Sequence, residues 1–565
     1  MPRAIDLFHA RPHLAYAALR AEAGRCLSRI QAEEEAATKA VSRLARALVT
    51  AFPKATFTAN AGHARPSPYP SRPSMSAAHI IAQSCRRHWD EHIVPALHDY
   101  IAVPAKSPLF DPDWEARGHI DRVVRDAAAW IERQSAGKLE GLKVEIVRIP
   151  GRTPVLFVEL PPNQPGYQDT VLLYGHLDKQ PEFSGWRNDL GPWTPKLIDG
   201  RLYGRGGADD GYAVYASLSA LLALNEAGLP HPRCVIQIET SEESGSRDLP
   251  AYLDILRPRF GQVGLVVCLD SGAGNYEQLW ITTSLRGNVT GTLKVEVLTE
   301  GIHSGVASGI VPSSFRIMRE LFERLEDART GALLPADFHC TIPEVRVLQA
   351  REAAASLGER LWKQLPWACG TDGASVLPTS EDPVELLLRN TWKPALSVIG
   401  VDGIPPLSSA GNVLRPYTAF KLNLRLPPLV DGHAAALKLK QCLEDNAPYN
   451  ARVTFEPDGR MGAYGSSGWN TPDLQPWLQQ ALEAASKEQF GTPAGFIGQG
   501  GSIPLMSVLQ QGFPAAQMMV CGVLGPQSNA HGPNEFLHVE YGKRLTAAVA
   551  QAIAAYPPCT ERAPC

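Results

Sequence analysis

Apolar, strand-like runs alternate with helical segments through the first half of this chain, and this alternation constrains its fold more than any other feature. The strand-like runs lie at 143–149, 155–160, 171–174, 234–238 and 264–269, and helical segments lie at 119–134, 211–227 and 249–256. Strands that alternate with helices pack into a sheet with helices on both faces. The sequence therefore predicts an α/β fold.

The pattern changes between about residues 281 and 468, where alternating strands flank helical segments at 314–326 and 433–444. A chain of 565 residues exceeds a single typical core, so this change predicts a smaller α+β domain inserted into the first one. The predicted division is an extension at 1–75, a main domain in two segments at 76–280 and 469–556, the inserted domain at 281–468 and a tail at 557–565. A Pro-rich run at 64–74 indicates that the extension is dispensable or disordered, and the stretch 327–385 has no interpretation.

Composition argues against several classes of partner. A formal net charge of −4 gives no electrostatic reason to bind nucleic acid or an anionic membrane. No apolar run approaches the roughly 20 residues needed to span a bilayer. The ten cysteines are scattered without a CxxC pair, so reduced, buried thiols in a cytoplasmic protein are the favoured interpretation and a disulfide framework is the alternative.

The strand-like run that begins at Thr170 ends in an imidazole and a carboxylate, His176 and Asp178. Side chains at positions i and i+2 of a strand point to the same face, so these two groups can meet. A carboxylate beside a histidine fixes the imidazole tautomer and orients the ring toward a metal ion. One such pair is weak evidence, because a histidine near an aspartate usually belongs to a surface hydrogen bond.

Further candidate ligands follow in chain order, and most of them come after a predicted strand. The five places are His176, Asp209 in a tight glycine turn, the pair Glu242-Glu243, Asp270 and His531. In open α/β sheets, functional groups collect at the carboxyl ends of the strands. Two histidines and three acids exceed what one catalytic zinc ion needs, so the set suits two divalent ions that share a carboxylate.

Each of these features has a simpler explanation when it is taken alone. Asp270 could cap a helix N-terminus, Glu242-Glu243 could be a solvated charge pair, and the turn at 204–207 could be mistaken for a phosphate loop. That turn lacks the third glycine of a dinucleotide site and the Gly-Lys-Ser/Thr of a P-loop. Separate roles for the two adjacent glutamates are reasonable at a metal site, because the ion needs a ligand and its bound water needs a base. The conjunction of all five places favours a metal site.

Several short motifs run in one order over about residues 77–556: Gly175-His-Leu-Asp-Lys-Gln-Pro181, Trp193-Thr-Pro195, Asp199-Gly-Arg-Leu-Tyr-Gly-Arg-Gly206, Glu242-Glu-Ser-Gly-Ser246, Leu285-Arg-Gly287, His303-Ser-Gly305, Gly500-Gly-Ser-Ile-Pro504 and His531. In these motifs the chain resembles the aminoacylase/carnosinase family of di-zinc metallopeptidases, in particular its cytosolic non-specific dipeptidase and carnosine dipeptidase branch. The resemblance implies a mixed-sheet zinc-peptidase catalytic domain with an inserted α+β lid and dimerisation domain. It also implies metal-dependent hydrolysis of dipeptides or short peptides.

The resemblance implies a role for each candidate at the metal site. Five residues would bind two divalent ions: His176, Asp209, Glu243, Asp270 and His531. Asp209 would bridge the ions, for which zinc is expected and manganese or cobalt is compatible. Glu242 would take a proton from the attacking water and deliver it to the leaving amine, and Asp178 would support His176 during catalysis. The peptide bond after Asp209 is expected to be cis.

Other implied site residues lie in the inserted domain or shortly after it. His303 would act in catalysis by reaching the active site of a partner subunit and bonding the oxyanion, which makes the enzyme a homodimer; alternatively, it is an ordinary loop histidine. Arg425 would grip the substrate's terminal carboxylate as a bidentate guanidinium; alternatively, it forms a cross-strand ion pair. Gly501 and Ser502 would form part of the carboxylate pocket, and Asn412 would help to hold the substrate.

Two departures from the family pattern indicate an altered specificity pocket. Asn412 stands where a Thr-Val-Ile type of sequence is usual, and Ala463 or Tyr464 stands where a Gly-His-Gly histidine is usual. The leading hypothesis is a metal-dependent dipeptidase or short-peptide exopeptidase, and the alternative is an N-acyl-amino-acid deacylase or related amidohydrolase on the same site. A non-enzymatic binding protein would be expected to lack a ligand or Glu242, and none of these is missing.

Overall fold

The computed structural model describes residues 75–371, 373–460, 463–501 and 504–559. The predicted N-terminal extension lies outside the described residues except for Met75, and only residues 557–559 of the predicted tail lie inside them. None of the described helices is long and apolar enough to cross a membrane.

Strands and helices alternate along the described chain. The strands are β1 (Lys143–Val147), β2 (Val155–Leu160), β3 (Asp169–His176), β4 (Lys196–Ile198), β5 (Arg201–Tyr203), β6 (Arg233–Glu239), β7 (Gln262–Cys268), β8 (Trp280–Leu285), β9 (Gly287–Glu296), β10 (Ile302–His303), β11 (Ala395–Asp402), β12 (Val413–Leu414), β13 (Tyr417–Leu426), β14 (Arg452–Pro457), β15 (Gly459–Arg460), β16 (Ala463–Tyr464), β17 (Trp469–Asn470), β18 (Gly495–Gln499), β19 (Gln517–Val520) and β20 (Phe536–His538). The helices are α1 (Met75–His88), α2 (Val94–Ile101), α3 (Trp114–Arg117), α4 (His119–Ser135), α5 (Tyr212–Glu226), α6 (Leu249–Phe260), α7 (Ser304–Ala307), α8 (Ser314–Phe322), α9 (Glu344–Leu357), α10 (Arg360–Lys363), α11 (Pro383–Thr391), α12 (Gly432–Glu444), α13 (Pro476–Phe490), α14 (Pro504–Gly512) and α15 (Val539–Ala554).

The largest layer is a six-stranded mixed sheet in the order β1-β2-β6-β3-β7-β19. Strand β3 runs parallel to β6 and β7, and β19 runs parallel to β7, whereas β1 and β2 form an antiparallel edge. This sheet confirms the predicted α/β fold and its mixed strand directions.

Alternate side chains of β3 enter two separate cores, because successive residues of a strand point to opposite faces. Val171 and Leu173 belong to the core that includes residues of α1, α5 and α15. Leu172 and Tyr174 belong to the core that includes residues of α6 and α14. Helices therefore cover both faces of the sheet, and this burial explains why the middle of β3, residues 171–174, is an unbroken apolar run.

A second, antiparallel sheet of four strands has the order β11-β13-β9-β14. Leu422, Leu424 and Leu426 alternate along β13 and pack in one core with Ile317 of α8 and Leu439 of α12. One face of this sheet is therefore covered by helices, and the intervening residues of β13 point to the other face. This sheet lies within the range predicted as the inserted domain; the domain boundaries themselves stay a prediction.

A small sheet in the order β17-β8-β18 lies where the chain enters and leaves the four-stranded sheet. Helix α9, in the stretch 327–385 that had no interpretation, packs against β18. From α9, the buried Arg346 donates hydrogen bonds to Asn470 Oδ1 at 2.8 Å and to the Thr471 carbonyl at 2.7 Å. Part of that stretch is therefore a helical cover over the junction.

Candidate metal centre

Three neighbouring strands, β6, β3 and β7, carry candidate ligands at one edge of the six-stranded sheet. Strand β3 ends at His176, Glu242 and Glu243 lie in a short 3-10 turn after β6, and Asp270 follows the end of β7. Because these strands are parallel, their carboxyl ends meet at the same edge. The sheet alone thus brings three of the five predicted places together.

Asp209 lies in a short turn, Gly207–Gly211, that leads into α5, and its own backbone angles are not helical. Asp210 Oδ2 accepts a hydrogen bond from the backbone N–H of His176 at 3.2 Å, which joins this turn to the end of β3. Gly175 permits the close approach, since a Cβ there would lie only 2.7 Å from Asp210 Oδ2. The Asp209–Asp210 peptide bond is cis, as the resemblance implied.

The candidate ligands form two overlapping groups of three that share Asp209. In the first group, His176 Nε2 lies 3.5 Å from Asp209 Oδ1 and 3.9 Å from Asp270 Oδ2. In the second group, His531 Nε2 lies 3.0 Å from Asp209 Oδ2 and 3.4 Å from Glu243 Oε2. The ligand atoms of each group lie within 4.8 Å of one another. One oxygen of Asp209 therefore faces each histidine, which is the arrangement expected of a bridging carboxylate.

The chemistry of both groups fits divalent metal ions. Imidazole nitrogen and carboxylate oxygen are the ligands that zinc and other first-row divalent ions take in catalytic sites. Among the described residues, the buried atoms His176 Nε2 and Glu243 Oε1 have no hydrogen-bond partner. A buried polar atom of this kind is costly, and coordination to an ion satisfies it.

Burial and mutual repulsion raise the pKa values of most acids in this cluster. Burial, reinforced by the charge of Asp270, raises the pKa of Glu242 well above its ordinary value. Burial, reinforced by Asp209, does the same for the pKa of Glu243 and raises the pKa of Asp270 to about 6. Burial acts in the same direction on Asp209, but the two nearby imidazoles of His176 and His531 outweigh it and lower the pKa of Asp209. Such a cluster of buried acids favours a bound cation.

Asp178 connects the first group to the turn after β6. Its Oδ1 lies 3.4 Å from His176 Nδ1, and its two oxygens accept hydrogen bonds from the backbone N–H groups of Glu242 and Glu243 at 3.1 and 3.0 Å. Asp178 is therefore placed to orient His176 and also fixes the turn that carries both glutamates. Gln180, which lies in the same sequence motif but was given no role, donates to Glu243 Oε2 at 2.6 Å.

His303 and Asn412 lie side by side where β10 pairs with β12. His303 is opposite Val413, and the Asn412 carbonyl accepts a hydrogen bond from the Ser304 N–H at 2.8 Å. His303 is exposed, and its Nδ1 accepts a hydrogen bond from the Gly305 N–H at 3.2 Å. His303 thus pairs with β12, and Asn412 bonds the residue that follows His303. Within the part of the chain that the structure describes, neither belongs to the ligand groups.

Arg425 lies on the face of β13 opposite the buried leucines, and a second arginine, Arg286, lies near it. Burial and the charge of Arg425 lower the pKa of Arg286 to about 10. The backbone N–H of Arg286 donates to the Gly501 carbonyl, and its Nε donates to the Gly500 carbonyl, both at 3.1 Å. Arg286, which was quoted in a motif without a role, therefore brings the glycine loop close to Arg425. Ser502 lies outside the described residues.

An aromatic pair occupies the position where the sequence departs from the family's histidine. The Tyr464 ring stacks on His433, with 5.8 Å between ring centroids and 8° between planes. The Tyr464 N–H also donates to His433 Nδ1 at 3.4 Å. His433 begins α12, so this pair connects the short β15–β16 hairpin to the helical face of the four-stranded sheet.

A mixed α/β sheet that presents two ligand groups around a shared aspartate defines the class of dinuclear metallohydrolases. Within that class, the chain belongs to the peptidase family M20/M25/M40, whose family profile matches residues 172–555. This match confirms the resemblance that the motifs carried.

The chain is similar to two curated dipeptidases over most of its length. It is 30% identical over 421 residues to the cysteinylglycine-S-conjugate dipeptidase of Corynebacterium striatum, which covers 73% of this chain and 85% of that protein. It is 26% identical over 447 residues to the Beta-Ala-His dipeptidase of Mus musculus, which covers 77% of this chain and 86% of that protein. The crystal structure of human carnosine dipeptidase 1 has the same fold, with a TM-score of 0.65 and 23% identity over 86% of this chain and 100% of that one.

The hydrogen bonds of Asp178 predict that Asp178→Asn weakens metal binding. Asparagine keeps only one acceptor oxygen, so the N–H of Glu242 or of Glu243 loses its partner and the turn that carries Glu243 shifts. A neutral amide also replaces the carboxylate beside His176. We expect metal affinity to fall about 10- to 100-fold, measured by competition with a coloured chelator.

Asp248→Asn is the matched control for this change. Asp248 also accepts a backbone hydrogen bond at this edge of the sheet, from the Thr153 N–H at 3.0 Å, but it belongs to neither ligand group. Equal metal affinities in the two variants would contradict the role assigned to Asp178.

Proposed function

We propose that this protein is a metal-dependent dipeptidase that hydrolyses the peptide bond of dipeptides with a water activated at a two-metal centre. The observation that carries the proposal is the pair of ligand groups that share Asp209, with Glu242 beside them on a fixed turn. Membership of the family makes the chain a hydrolase that acts on peptide bonds. The two relatives described above are named as dipeptidases, which favours this substrate class over acyl-amino acids.

The ligand set divides between two ion positions. His176 and Asp270 would hold one ion, Glu243 and His531 would hold the other, and Asp209 would contact both. When bound, two divalent ions supply Lewis-acid chemistry that polarises the scissile carbonyl and acidifies the attacking water. We propose zinc, because it suits imidazole and carboxylate ligands, and manganese or cobalt is compatible with the same set.

Glu242 is the group that moves protons in this proposal. It accepts the proton that the attacking water releases and then donates it to the nitrogen of the leaving amino acid. The hydrogen bond from its N–H to Asp178 holds its backbone in place. Burial raises the pKa of Glu242 well above its ordinary value, which brings the carboxylate closer to the basicity that proton transfer near neutral pH requires.

The variant Glu242→Gln tests this assignment. Glutamine preserves the volume but cannot take a proton, so we expect kcat to fall about 10²- to 10⁴-fold while the metal content stays unchanged. The measurement is hydrolysis of Cys-Gly and β-Ala-His beside N-acetyl and N-succinyl amino acids, with metal-loaded protein. Glu182→Gln, a half-exposed glutamate that bonds Lys106 at 3.0 Å, is the control. Full turnover in Glu242→Gln with both metals present would contradict the role of Glu242 in proton transfer.

Arg425 is proposed to bind the carboxylate at the C-terminus of the dipeptide. Its guanidinium is half-buried, so burial strengthens its hydrogen bonds to an anion. The glycine loop at 500–501 lies close to it through Arg286. Asn412, Gly501 and Ser502 are proposed to complete the pocket around the substrate.

The variant Arg425→Met tests recognition of the carboxylate. We expect kcat/KM for a free dipeptide to fall about 100-fold, since a charged hydrogen bond contributes roughly 1.5–3 kcal/mol. The C-terminal amide of the same dipeptide lacks the carboxylate, so its kcat/KM stays nearly constant. Lys421→Met, on the same face of β13, is the control because that ammonium bonds Asp458 instead. Equal losses on both substrates would show that Arg425 does not recognise the carboxylate.

The protein is proposed to act as a homodimer that forms through the domain containing the four-stranded sheet. Strand β11 is an edge of that sheet and exposes Val398, Ile399 and Val401. An exposed, apolar edge strand is a ready surface for pairing with a second chain. His303 is exposed as well, which leaves it available to the active site of a partner subunit.

Mixed dimers test whether His303 acts across the interface. His303→Ala and Glu242→Gln chains are co-expressed with different tags, and the heterodimer is purified. If His303 serves the partner's site, the His303→Ala chain receives an intact histidine from its neighbour, and the heterodimer shows about half of the wild-type activity. Each homodimeric variant stays nearly inactive. No activity in the heterodimer would place His303 in the site of its own chain, and a fully active His303→Ala homodimer would place it outside catalysis.

A reducing compartment, the cytoplasm, is the proposed location. Cys85, Cys234, Cys268 and Cys521 are buried free thiols. Burial raises the pKa of each of these thiols above its ordinary value, which makes them unreactive core residues. Free, buried cysteines are typical of proteins that function where thiols stay reduced.

A further inference from the structure

A buried ion pair that is not part of the ligand set lies next to the second ligand group, Asp209, Glu243 and His531. The Arg205 and Glu535 side chains are 1% and 0% exposed, and Arg205 Nη1 donates to Glu535 Oε2 at 2.6 Å. Arg205 belongs to the glycine turn that precedes Asp209, and Glu535 follows His531 by four residues. The pair therefore joins the two segments that carry two of the three ligands of this group.

Arg205 holds the His531 loop by its backbone. Its Nη2 donates to the carbonyls of His531 and Gly532 at 3.2 and 2.7 Å. Its Nε donates to the Pro181 carbonyl at 3.2 Å, in the loop that follows β3. Three nitrogens of one planar guanidinium thus bond two loops and a carboxylate, which a lysine ammonium on a flexible stem cannot reproduce with the same geometry.

Glu535 completes the connection on the other side. Its Oε1 accepts a hydrogen bond from the Gly206 N–H at 3.0 Å, and its backbone carbonyl accepts one from the Gly204 N–H at 3.0 Å. The glycine turn before Asp209 and the loop after His531 are therefore bonded to each other through both side chain and backbone.

The loop around His531 needs such a restraint because of its backbone conformation. Gln527, Asn529, His531 and Asn534 all have positive φ angles, of 65°, 55°, 64° and 61°. Left-handed conformations cost a non-glycine residue on the order of 1 kcal/mol and persist where the surroundings hold them. Within the segment, the Gly532 N–H donates to the Asn529 carbonyl and the Phe536 N–H to the Ser528 carbonyl, without a regular ladder. Contacts from outside, such as those of Arg205, therefore help to fix its position.

Stability is a poor explanation for this buried pair. The cost of removing both charges from water usually offsets their attraction, and well-packed apolar side chains would stabilise the fold equally well.

The two ligand groups also differ in the elements that hold their residues in place. His176 ends a strand hydrogen-bonded on both sides and Asp270 closely follows another strand, whereas His531 is carried by an irregular loop.

We propose that Arg205 and Glu535 are positioning residues that set the metal affinity of the Asp209–Glu243–His531 position separately from that of the His176–Asp209–Asp270 position. The inference rests on the proposed two-metal function. Arg205 acts by fixing where His531 and the turn before Asp209 lie relative to each other. The His176–Asp209–Asp270 position shares Asp209, but its other two ligands lie at strand ends, and the hydrogen bonds of Arg205 go to other residues.

The test is a cobalt titration of full-length, chelator-stripped protein for wild type, Arg205→Lys, Arg205→Met and Glu535→Gln. The readouts are Co²⁺ ions bound per chain, by elemental analysis, and the visible absorption of each bound ion. We expect two ions per wild-type chain. In Arg205→Met the first ion binds as in wild type and the second binds about 10- to 100-fold more weakly. Arg205→Lys lies between them, and Glu535→Gln, which keeps an acceptor for the Gly206 N–H, shows the smallest loss.

Arg346→Met is the control for the loss of a buried guanidinium. Arg346 is 5% exposed and bonds Asn470, Gln349 and the Thr471 carbonyl, far along the chain from the ligands. We expect it to bind both ions normally even where its thermal unfolding midpoint falls. If Arg205→Met does not fold, Glu535→Gln and Arg205→Lys decide the question, since each preserves part of the contact.

The outcomes separate this inference from the proposed function. Fewer than two ions in wild type would contradict the two-metal function itself. Two ions in wild type with unchanged affinities in all three variants would overturn the positioning role. Equal weakening of both ions would also overturn it, because Arg205 would then support the whole centre rather than one position.

Discussion

The shared carboxylate of Asp209 is the constraint on which the rest of the structure depends. Each of its oxygens faces a different imidazole, so two ligand groups converge on a single buried side chain. Acids gathered in this way repel one another and resist ionisation, and the site is stable only where cations or imidazoles compensate them. The sheet, the glycine turn and the later loop all serve to bring these groups within a few ångströms.

The two halves of the centre are built by different means. Parallel strands, which are among the most rigid elements of an α/β protein, position His176 and Asp270. Glu243 is held through Asp178 and Gln180, and His531 through the buried arginine of the glycine turn. The sheet therefore fixes the positions of the ligands in the first group, whereas individual side-chain contacts fix those of Glu243 and His531 in the second.

The candidate metal ligands and the residues proposed to contact the substrate also lie on different parts of the fold. The metal ligands and Glu242 belong to the six-stranded sheet and its loops, whereas Arg425, His303 and Asn412 belong to the four-stranded sheet or the short strands beside it. Departures from the family pattern fall in the second group, at Asn412 and around Tyr464. On the proposed assignment, the metal ligands keep the family pattern while residues proposed to surround the substrate depart from it.

The sequence alone determined the α/β class, the existence of a second sheet and the set of candidate metal ligands that the structure brings together. Short stretches of sequence carry these features. The spacing of apolar residues indicates which side of an element is buried, and the candidate ligands come one after another at the ends of predicted strands. The tertiary structure alone decided which groups meet across long separations, such as Arg205 with Glu535, His303 with Val413, and Arg286 with the loop at 500–501. A helical cover in the stretch 327–385 also emerged only from packing. No local pattern encodes such contacts, because they depend on how distant segments pack and on which buried polar atoms then need a partner.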